Sequence, residues 1–482
     1  MNKFLGKGKV IPIVSAPASK SERRPVLAKI GDWASAHRGV IAGVQWGVVA
    51  IYAALLILPA VAPLPGNEAR ILNNVTLFAE FVFWGIWWPF VLVSMVLFGR
   101  LWCGMLCPEG FLSEWASNRG LNRPIPRWMR WPGWPFVAFS ILTIYGQLVS
   151  VYQYPYPALL ILGGSTAAAM VVGWWTAKGR RAWCRYLCPV SGVFSVLSML
   201  APMHFKVDKA QWDAAGEQAR ARGEKLPHAP LCPPMLSVRN LNGNSSCHMC
   251  ARCSGHRGAV ELAWRHPDSE IVDPERKANK WQAALIVTGL LGIAIGAFHW
   301  TVSPLFLRMV EAVNAFLIER EIYWPLNADA PWWLLTNYPE QNDSMHWAYG
   351  LCVLTYILGT ALVMSVLVFS SLALACKAAG RLSRESVYRL AWALIPLAAM
   401  GVFLGLSATT VNLLKRDLYP TQWANGLRLA CLIVATAHSA HLGRAVLSSW
   451  GAPRLRRAAA WLCFALSLAA IDCAWGFMFW WW

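Results

Sequence analysis

Cys103 and Cys107 stand four residues apart in FGRLWCGMLCPEG, and a proline follows the second at once. Eighty-one residues later RRAWCRYLCPVSG repeats the arrangement with Cys184 and Cys188. Arg100, Trp102, Cys103, Leu106, Cys107 and Pro108 align with Arg181, Trp183, Cys184, Leu187, Cys188 and Pro189, which marks an internal repeat. A spacing of four puts both thiols of a pair on one helical face. Proline suits the first turn of a following helix. The second thiol of each pair then sits at a helix N-terminus, where free N–H groups and the dipole favour thiolate. Arg100, Arg181 and Arg185 add positive charge. Two such repeats facing each other gather four thiolates, a ligand set for a metal–sulfur centre; the plainer alternative is a set of inert or redox-sensing thiols.

Four more cysteines supply a second set. CHMCARC places Cys247, Cys250 and Cys253 in the Cys-x2-Cys-x2-Cys spacing of a bacterial ferredoxin loop, where three thiolates hold three corners of a cubane. Ser-Gly-His-Arg follows Cys253, so no fourth ligand is local. Cys232, with Pro233 after it, is the candidate for the remote position. Tetrahedral zinc is the alternative occupant of four cysteines. His248 and His256 flank the loop, either donating hydrogen bonds to sulfur or simply solvated. Cys352, Cys376, Cys431, Cys463 and Cys473 are scattered in apolar helices and read as small buried hydrophobes.

The elements that must position these thiols are membrane helices. The 482 residues are 57% hydrophobic and 14% charged, too apolar for a soluble surface. Nine candidate spans lie near 39–63, 76–98, 131–152, 157–176, 281–304, 346–370, 388–411, 421–443 and 459–480. The first has a long basic leader and full spanning length, so it reads as an anchor rather than a cleaved signal. With the N-terminus inside, 37 of the 43 Lys and Arg residues fall on inner segments and five on outer loops. That imbalance predicts a cytoplasmic N-terminus and a periplasmic C-terminus. It also accounts for most of the +19 net charge without nucleic acid. Both cysteine sets then lie on the inner side, where disulfides are not expected. The expected fold is an all-α integral membrane protein of about nine helices with a small cytoplasmic ferredoxin-like iron–sulfur insert. Its parts are a basic tail (1–38), a four-helix membrane domain carrying both motifs (39–203), the insert (204–280) and a five-helix membrane domain (281–482) with an outer loop at 308–345.

Other residues invite attention. Glu80, Arg428 and Asp472 are charges inside spans. Arg428 and Asp472 fall at similar depth, which predicts an ion pair, a proton or ion path being the alternative. His438 and His441 share a helix face, and interhelical hydrogen bonding is favoured over metal or haem ligation because His299 and His346 fall at the opposite ends of their spans. Residues 208–228 read as a surface helix. Loop 308–345 carries six carboxylates, two arginines and the aromatic residues Tyr323, Trp324, Trp332, Trp333 and Tyr338. These form either an interfacial anchor or a docking surface for a basic partner.

GRLWCGMLCP and RAWCRYLCP, followed by the ferredoxin-like loop, resemble the membrane-bound polyferredoxins over roughly residues 76 to 260. These include quinol-oxidising accessory proteins of periplasmic nitrate reductase, membrane regulators of nitrous-oxide reductase maturation and copper-reducing assembly factors of cytochrome oxidase. The chain departs from them in having one cysteine triple and five additional spans. Its layout resembles the polyferredoxin component of bacterial ferrous-iron uptake systems. The resemblance implies two [4Fe-4S] clusters held by Cys103, Cys107, Cys184, Cys188, Cys232, Cys247, Cys250 and Cys253 at a bacterial inner membrane. It implies electron transfer between a cytoplasmic or quinone pool and a redox partner, as an electron carrier or oxidoreductase component rather than a stand-alone enzyme. The service implied is metal (iron or copper) uptake or metalloenzyme maturation. The implied partners are membrane lipid, a periplasmic redox or metal-binding protein and an iron permease. No residue pair supports a bound haem or quinone. From another class, the runner-up is a transporter or redox-sensing scaffold whose clusters are structural.

Overall fold

The structure, a computed structural model, describes residues 25–66, 68–224 and 230–482. Residues 1–24 of the basic tail and the end of the 208–228 segment lie outside them. The fold is all-α and multi-pass. Among the described residues, eight helices are long and apolar enough to cross a membrane: α2 (Arg38–Val61), α3 (Val75–Phe98), α6 (Pro155–Trp175), α9 (Lys280–His299), α11 (Trp347–Ala378), α13 (Ile395–Arg416), α14 (Trp423–Ser449) and α15 (Arg454–Trp481). Leu351, Leu362, Val363 and Val366 of α11 are more than half exposed, as side chains facing lipid are.

Two boundaries differ from the hydropathy reading. The third span is only α5 (Trp134–Leu148), 15 residues, because proline and tryptophan at its start and a turn at Ser150 shorten it. It still joins the two faces. Trp131, just before it, packs against Trp281 at 4.9 Å. At its other end, the Leu148 carbonyl accepts from Thr336 N–H at 2.8 Å. The seventh span begins at Ile395, not near 388. The preceding residues form a separate amphipathic helix, α12 (Arg384–Trp392), whose Arg389 donates to the Val272 carbonyl.

These contacts define two faces. The connections 99–131, 177–280, 379–394 and 450–453 join helices on the cysteine face, together with the described N-terminal end, and the segments that carry Cys103, Cys107, Cys184 and Cys188 dip inward from it. The far face holds residues 62–74, 149–154, 300–346 with helix α10 (Pro304–Glu319), and 417–422, together with the C-terminal residue Trp482. Far-face closure is direct: Asp417 accepts Ile71 N–H at 2.9 Å, and Trp482 packs on His299 at 5.4 Å.

The most enclosed span is α9, with 72% of its apolar window buried. Its Gly292 and Gly296 make the close approach possible: a Cβ on either would lie 3.0 Å from the Cα of Ala361 or Ile357 on α11. Small residues four apart let membrane helices pack backbone to backbone.

On the cysteine face, residues 203–280 form a small unit on the membrane domain. Strands β1 (Met203–Val207) and β2 (Val260–Trp264) pair antiparallel, Met203 opposite Trp264. Helix α8 (Lys209–Ala221) and the whole cysteine loop lie between them in sequence. Helix α1 (Val26–Ala36) packs on β2, with Gly31 against Ser254 and Leu262. The described part of the tail is therefore part of this unit.

Candidate cysteine sites

The two cysteine sets occupy two cavities. One is lined by Cys103, Cys107, Cys184 and Cys188. The other is lined by Cys232, Cys247, Cys250 and Cys253. Each set is mutually close: Cys107 senses Cys184 and Cys103 electrostatically, Cys188 senses Cys184, Cys107 and Cys103, and Cys247 senses Cys253, Cys250 and Cys232. Among the described residues no three His, Cys, Asp or Glu side chains are grouped to hold a single metal ion. Four thiols lining one cavity are a ligand set of the size a cubane takes.

The repeat builds the first site by cross-bracing. Arg100 of the first motif donates to Ser191 Oγ at 2.8 Å beside the second motif. Arg181 of the second motif donates to the carbonyls of Cys103 and Gly104 in the first. Cys107 caps helix α4 (Pro108–Asn118), its Sγ accepting Gly110 N–H at 3.4 Å with Pro108 in the first turn. The second motif departs from this. Helix α7 (Ser191–Leu197) starts three residues after Cys188, because Ser191 is drawn to the Cys184 carbonyl at 2.7 Å and to Arg100.

Positive charge does not win at the thiols of the second set: burial pushes Cys253 up to about 12. Such thiols give up their protons to a metal rather than to water. Arg185 acts mainly on the second set, pulling Cys232 down together with Arg180 against burial.

The first site lies deeper than the inner edge expected of it. Ile161, Leu162 and Ser165 of α6 line its cavity. They lie ten to fourteen residues before Trp175, or roughly 15 to 21 Å along the helix. Helix α2 records the same stacking. Arg38 donates to the Cys250 carbonyl, Gln45 to Gly104, and Tyr52 lines the first cavity. The second site therefore sits at the face and the first about halfway across. They touch through backbone: a Cβ on Gly104 would lie 2.0 Å from the His248 carbonyl.

Several residues of this region escape motif reading. Glu109, half-buried, accepts from Ser165 and from Trp183 Nε1 at 3.3 Å. Glu114 bridges Arg181, at 2.8 Å, and Arg252 between the two sites. Both carboxylates occupy positions where the repeat is broken, opposite Val190 and Ser195, and that mismatch was the available signal. Glu270 gathers Arg265 and Arg276 and accepts the Asn244 N–H at 3.0 Å, locking the loop before Cys247.

Other expected residues fall elsewhere. Arg428 and Asp472 are not paired. Arg428 donates to Ser407 Oγ at 3.0 Å and lies over Phe479, while Asp472 accepts from Thr436 at 2.8 Å, so each has neighbours of its own. His438 and His441 both face Asp268, a residue of the cysteine-face unit and not of another span, at 2.8 and 3.7 Å. His248 is 1% exposed and lines the second cavity, and burial pushes its pKa well down, so the ring is neutral. Both of its ring nitrogens are buried without a hydrogen-bond partner among the described residues. His256 packs on Trp212 at 5.0 Å instead. Tyr323, Trp324 and Trp333 are more than half exposed.

A multi-pass helical fold with four thiols brought together by a duplicated membrane motif defines a class: membrane proteins with a 4Fe-4S binding domain. The family model for that domain, "4Fe-4S binding domain", matches residues 81–126 and 160–207, one match for each motif. A curated relative from Escherichia coli (strain K12), named "Putative electron transport protein YccM", is 24% identical over 233 residues. That alignment spans 43% of this chain and 62% of the relative's length. These matches support a polyferredoxin-like 4Fe-4S membrane family for this chain. No solved structure matches.

Proposed function

We propose that this chain is an integral membrane electron-transfer protein holding two [4Fe-4S] clusters, one in each four-thiol cavity. The observation that carries the reading is the stacking of those cavities, one at the cysteine face and one about halfway across, joined at Gly104 and His248. Each cluster supplies one-electron chemistry when bound. The residues of the chain do the rest. Cys103, Cys107, Cys184 and Cys188 hold the deeper centre, and Cys232, Cys247, Cys250 and Cys253 hold the one at the face. Arg100, Arg181 and Arg252 offset the negative charge of thiolate cages, and Glu114 fixes two of these arginines between the sites. The apolar walls keep water from the sulfurs, which tunes potential.

The excess of Lys and Arg on the cysteine face supports a cytoplasmic orientation for it in a bacterial inner membrane, with the C-terminus periplasmic. In this reading electrons move between a cytoplasmic or quinone pool and a periplasmic redox or metal-binding protein, in the service of metal uptake or metalloenzyme maturation. Anaerobically purified protein tests it. Dithionite is expected to raise EPR signals of two centres, Cys250→Ala to remove one and Cys188→Ala the other. Protein that carries zinc and no reducible signal contradicts the reading.

A further inference from the structure

Between Glu114 and Asp208 the sequence contains no Asp or Glu. Five cations of that stretch are exposed on the cysteine face. Arg119, Arg123, Arg127 and Arg130 lie along the connection from α4 to α5, and Lys178 lies in the turn after α6. Among the described residues no ion pair reaches any of the five. Arg119 lies over the Trp115 ring at 4.3 Å; the other four stand clear of carboxylates.

Main-chain bonds pin the two segments together at the end of α6. Leu121 N–H donates to the Trp174 carbonyl at 2.7 Å, Arg123 N–H to the Trp175 carbonyl at 3.1 Å, and Ala177 N–H to the Arg123 carbonyl at 3.1 Å. Asn122 Oδ1 accepts the Lys178 N–H at 2.9 Å. Pro124 and Pro126 stiffen the chain beyond. Leu121, Trp128, Trp131, Trp174 and Trp175 are each at least 40% exposed around these cations. Tryptophan and arginine together at the end of a span mark headgroup depth. An excess of cations on one face orients a membrane protein; it does not require that they be pinned into one platform without a neighbouring carboxylate.

The same turn seats Cys232. Arg180 donates to the Cys232 carbonyl at 2.7 Å, and Arg181 N–H donates to the Pro233 carbonyl at 2.9 Å. Gly179, at φ +69°, carries Leu231 directly against it: a Cβ there would lie 2.5 Å from Leu231 Cδ2. Cys232 lies fifteen residues before Cys247, so contacts of this kind hold it beside the other three thiols. Lys178 and Arg180 thus join the cation platform to the remote thiol through one glycine.

We propose that this platform is a binding site for an anionic phospholipid, its phosphate held by Arg123 and Lys178 and its acyl chains lying along the exposed rings of Trp174 and Trp175. The anions nearest to cations at headgroup depth are lipid phosphates, and basic clusters beside a span attract them. The bound headgroup clamps the turn against the Arg123 loop and so keeps Cys232 in place; this second half alone rests on the cluster reading above. No bond forms or breaks and no electron moves on binding.

Lipid retention tests the site without any cluster. Full-length protein in detergent is given equal amounts of dioleoylphosphatidylglycerol and dioleoylphosphatidylcholine, and retained lipid is read by native mass spectrometry. The parent chain is expected to prefer phosphatidylglycerol at least fivefold. Arg123→Gln with Lys178→Gln, or Arg127→Gln with Arg130→Gln should the first pair not fold, is expected to cut that preference at least threefold. Arg454→Gln with Arg456→Gln removes the same charge from exposed positions on the same face and is expected to leave it unchanged. No preference in the parent chain, an equal loss in the Arg454 and Arg456 pair, displacement of the lipid by inorganic phosphate, or an acidic protein occupying the surface in place of lipid overturns the proposal. The Cys188→Ala chain, in which only the second set is intact, tests the clamp. It is expected to lose iron at least twice as fast in phosphatidylcholine nanodiscs as in phosphatidylglycerol nanodiscs; equal rates overturn the link to Cys232. Failure of the cluster reading is distinct: it appears as protein without iron or EPR signals in either disc, whatever lipid is retained.

Discussion

Arg181 is 2% exposed and would be a costly cation without Glu114, whose carboxylate it meets at 2.8 Å. Burial pushes Glu114 up, yet Arg181 and Arg252 hold it below the usual carboxylate range. Breaking a buried pair by removing one partner typically costs about 3–5 kcal/mol. Glu114→Gln is therefore expected to lower the thermal midpoint in detergent clearly, and an unchanged midpoint contradicts this reading of the bridge. Gly104 is a second residue with no tolerance. Alanine there puts a methyl 2.0 Å from the His248 carbonyl, so the loops must part. Overpacking of this kind costs about 1–3 kcal/mol, and Gly104→Ala is expected to reduce bound iron while Gly43→Ala, with open space around it, does not. Glu270 gives a pH-dependent case. Burial pushes it up, but Arg276, Arg265 and the Asn244 N–H outweigh this and hold it below its ordinary value of 4.5. A depressed carboxylate stabilises the fold fully above that ordinary value and loses its contribution as pH falls through the folded one. The midpoint should drop more steeply with acid in the parent chain than in Glu270→Gln.

At the scale of elements, the duplicated motif was legible because cysteine spacing and proline placement are local. Cys232 was a candidate from its following proline alone, and its place beside Cys247, Cys250 and Cys253 depends on the fold of the loop between them. Depth was not legible. A hydropathy window places a motif at the end of a span, whereas α4 and the loop before it fold back against α6 and carry Cys107 toward Ser165. Pairing between helices was not legible either: Arg428 and Asp472 share a depth but face different neighbours, and only rotation about the helix axes decides that. Helix α12 merged with α13 in the hydropathy reading because Leu390, Ala391 and Trp392 continue its apolar run. The α9–α11 contact yields a prediction of its own. Gly296→Leu would drive a side chain into the Ile357 backbone and is expected to disrupt α9 packing, read as lost monodisperse protein on size exclusion; Gly359→Leu, facing open space, is the control.

For the whole molecule, the arrangement runs in one direction: a thiol cage at the cysteine face, a second about halfway across, a partition of aromatic rings and a polar cavity open on the far side. The helices beyond residue 280 line part of that far cavity through α9 and α13. The account stands on both thiol cages holding iron–sulfur clusters, and iron with acid-labile sulfide in anaerobically prepared full-length protein measures that most directly. Two cubanes require about eight irons and eight sulfides per chain, falling to about half in Cys250→Ala or Cys188→Ala. Zinc in place of iron, or a full complement that survives both substitutions, contradicts it.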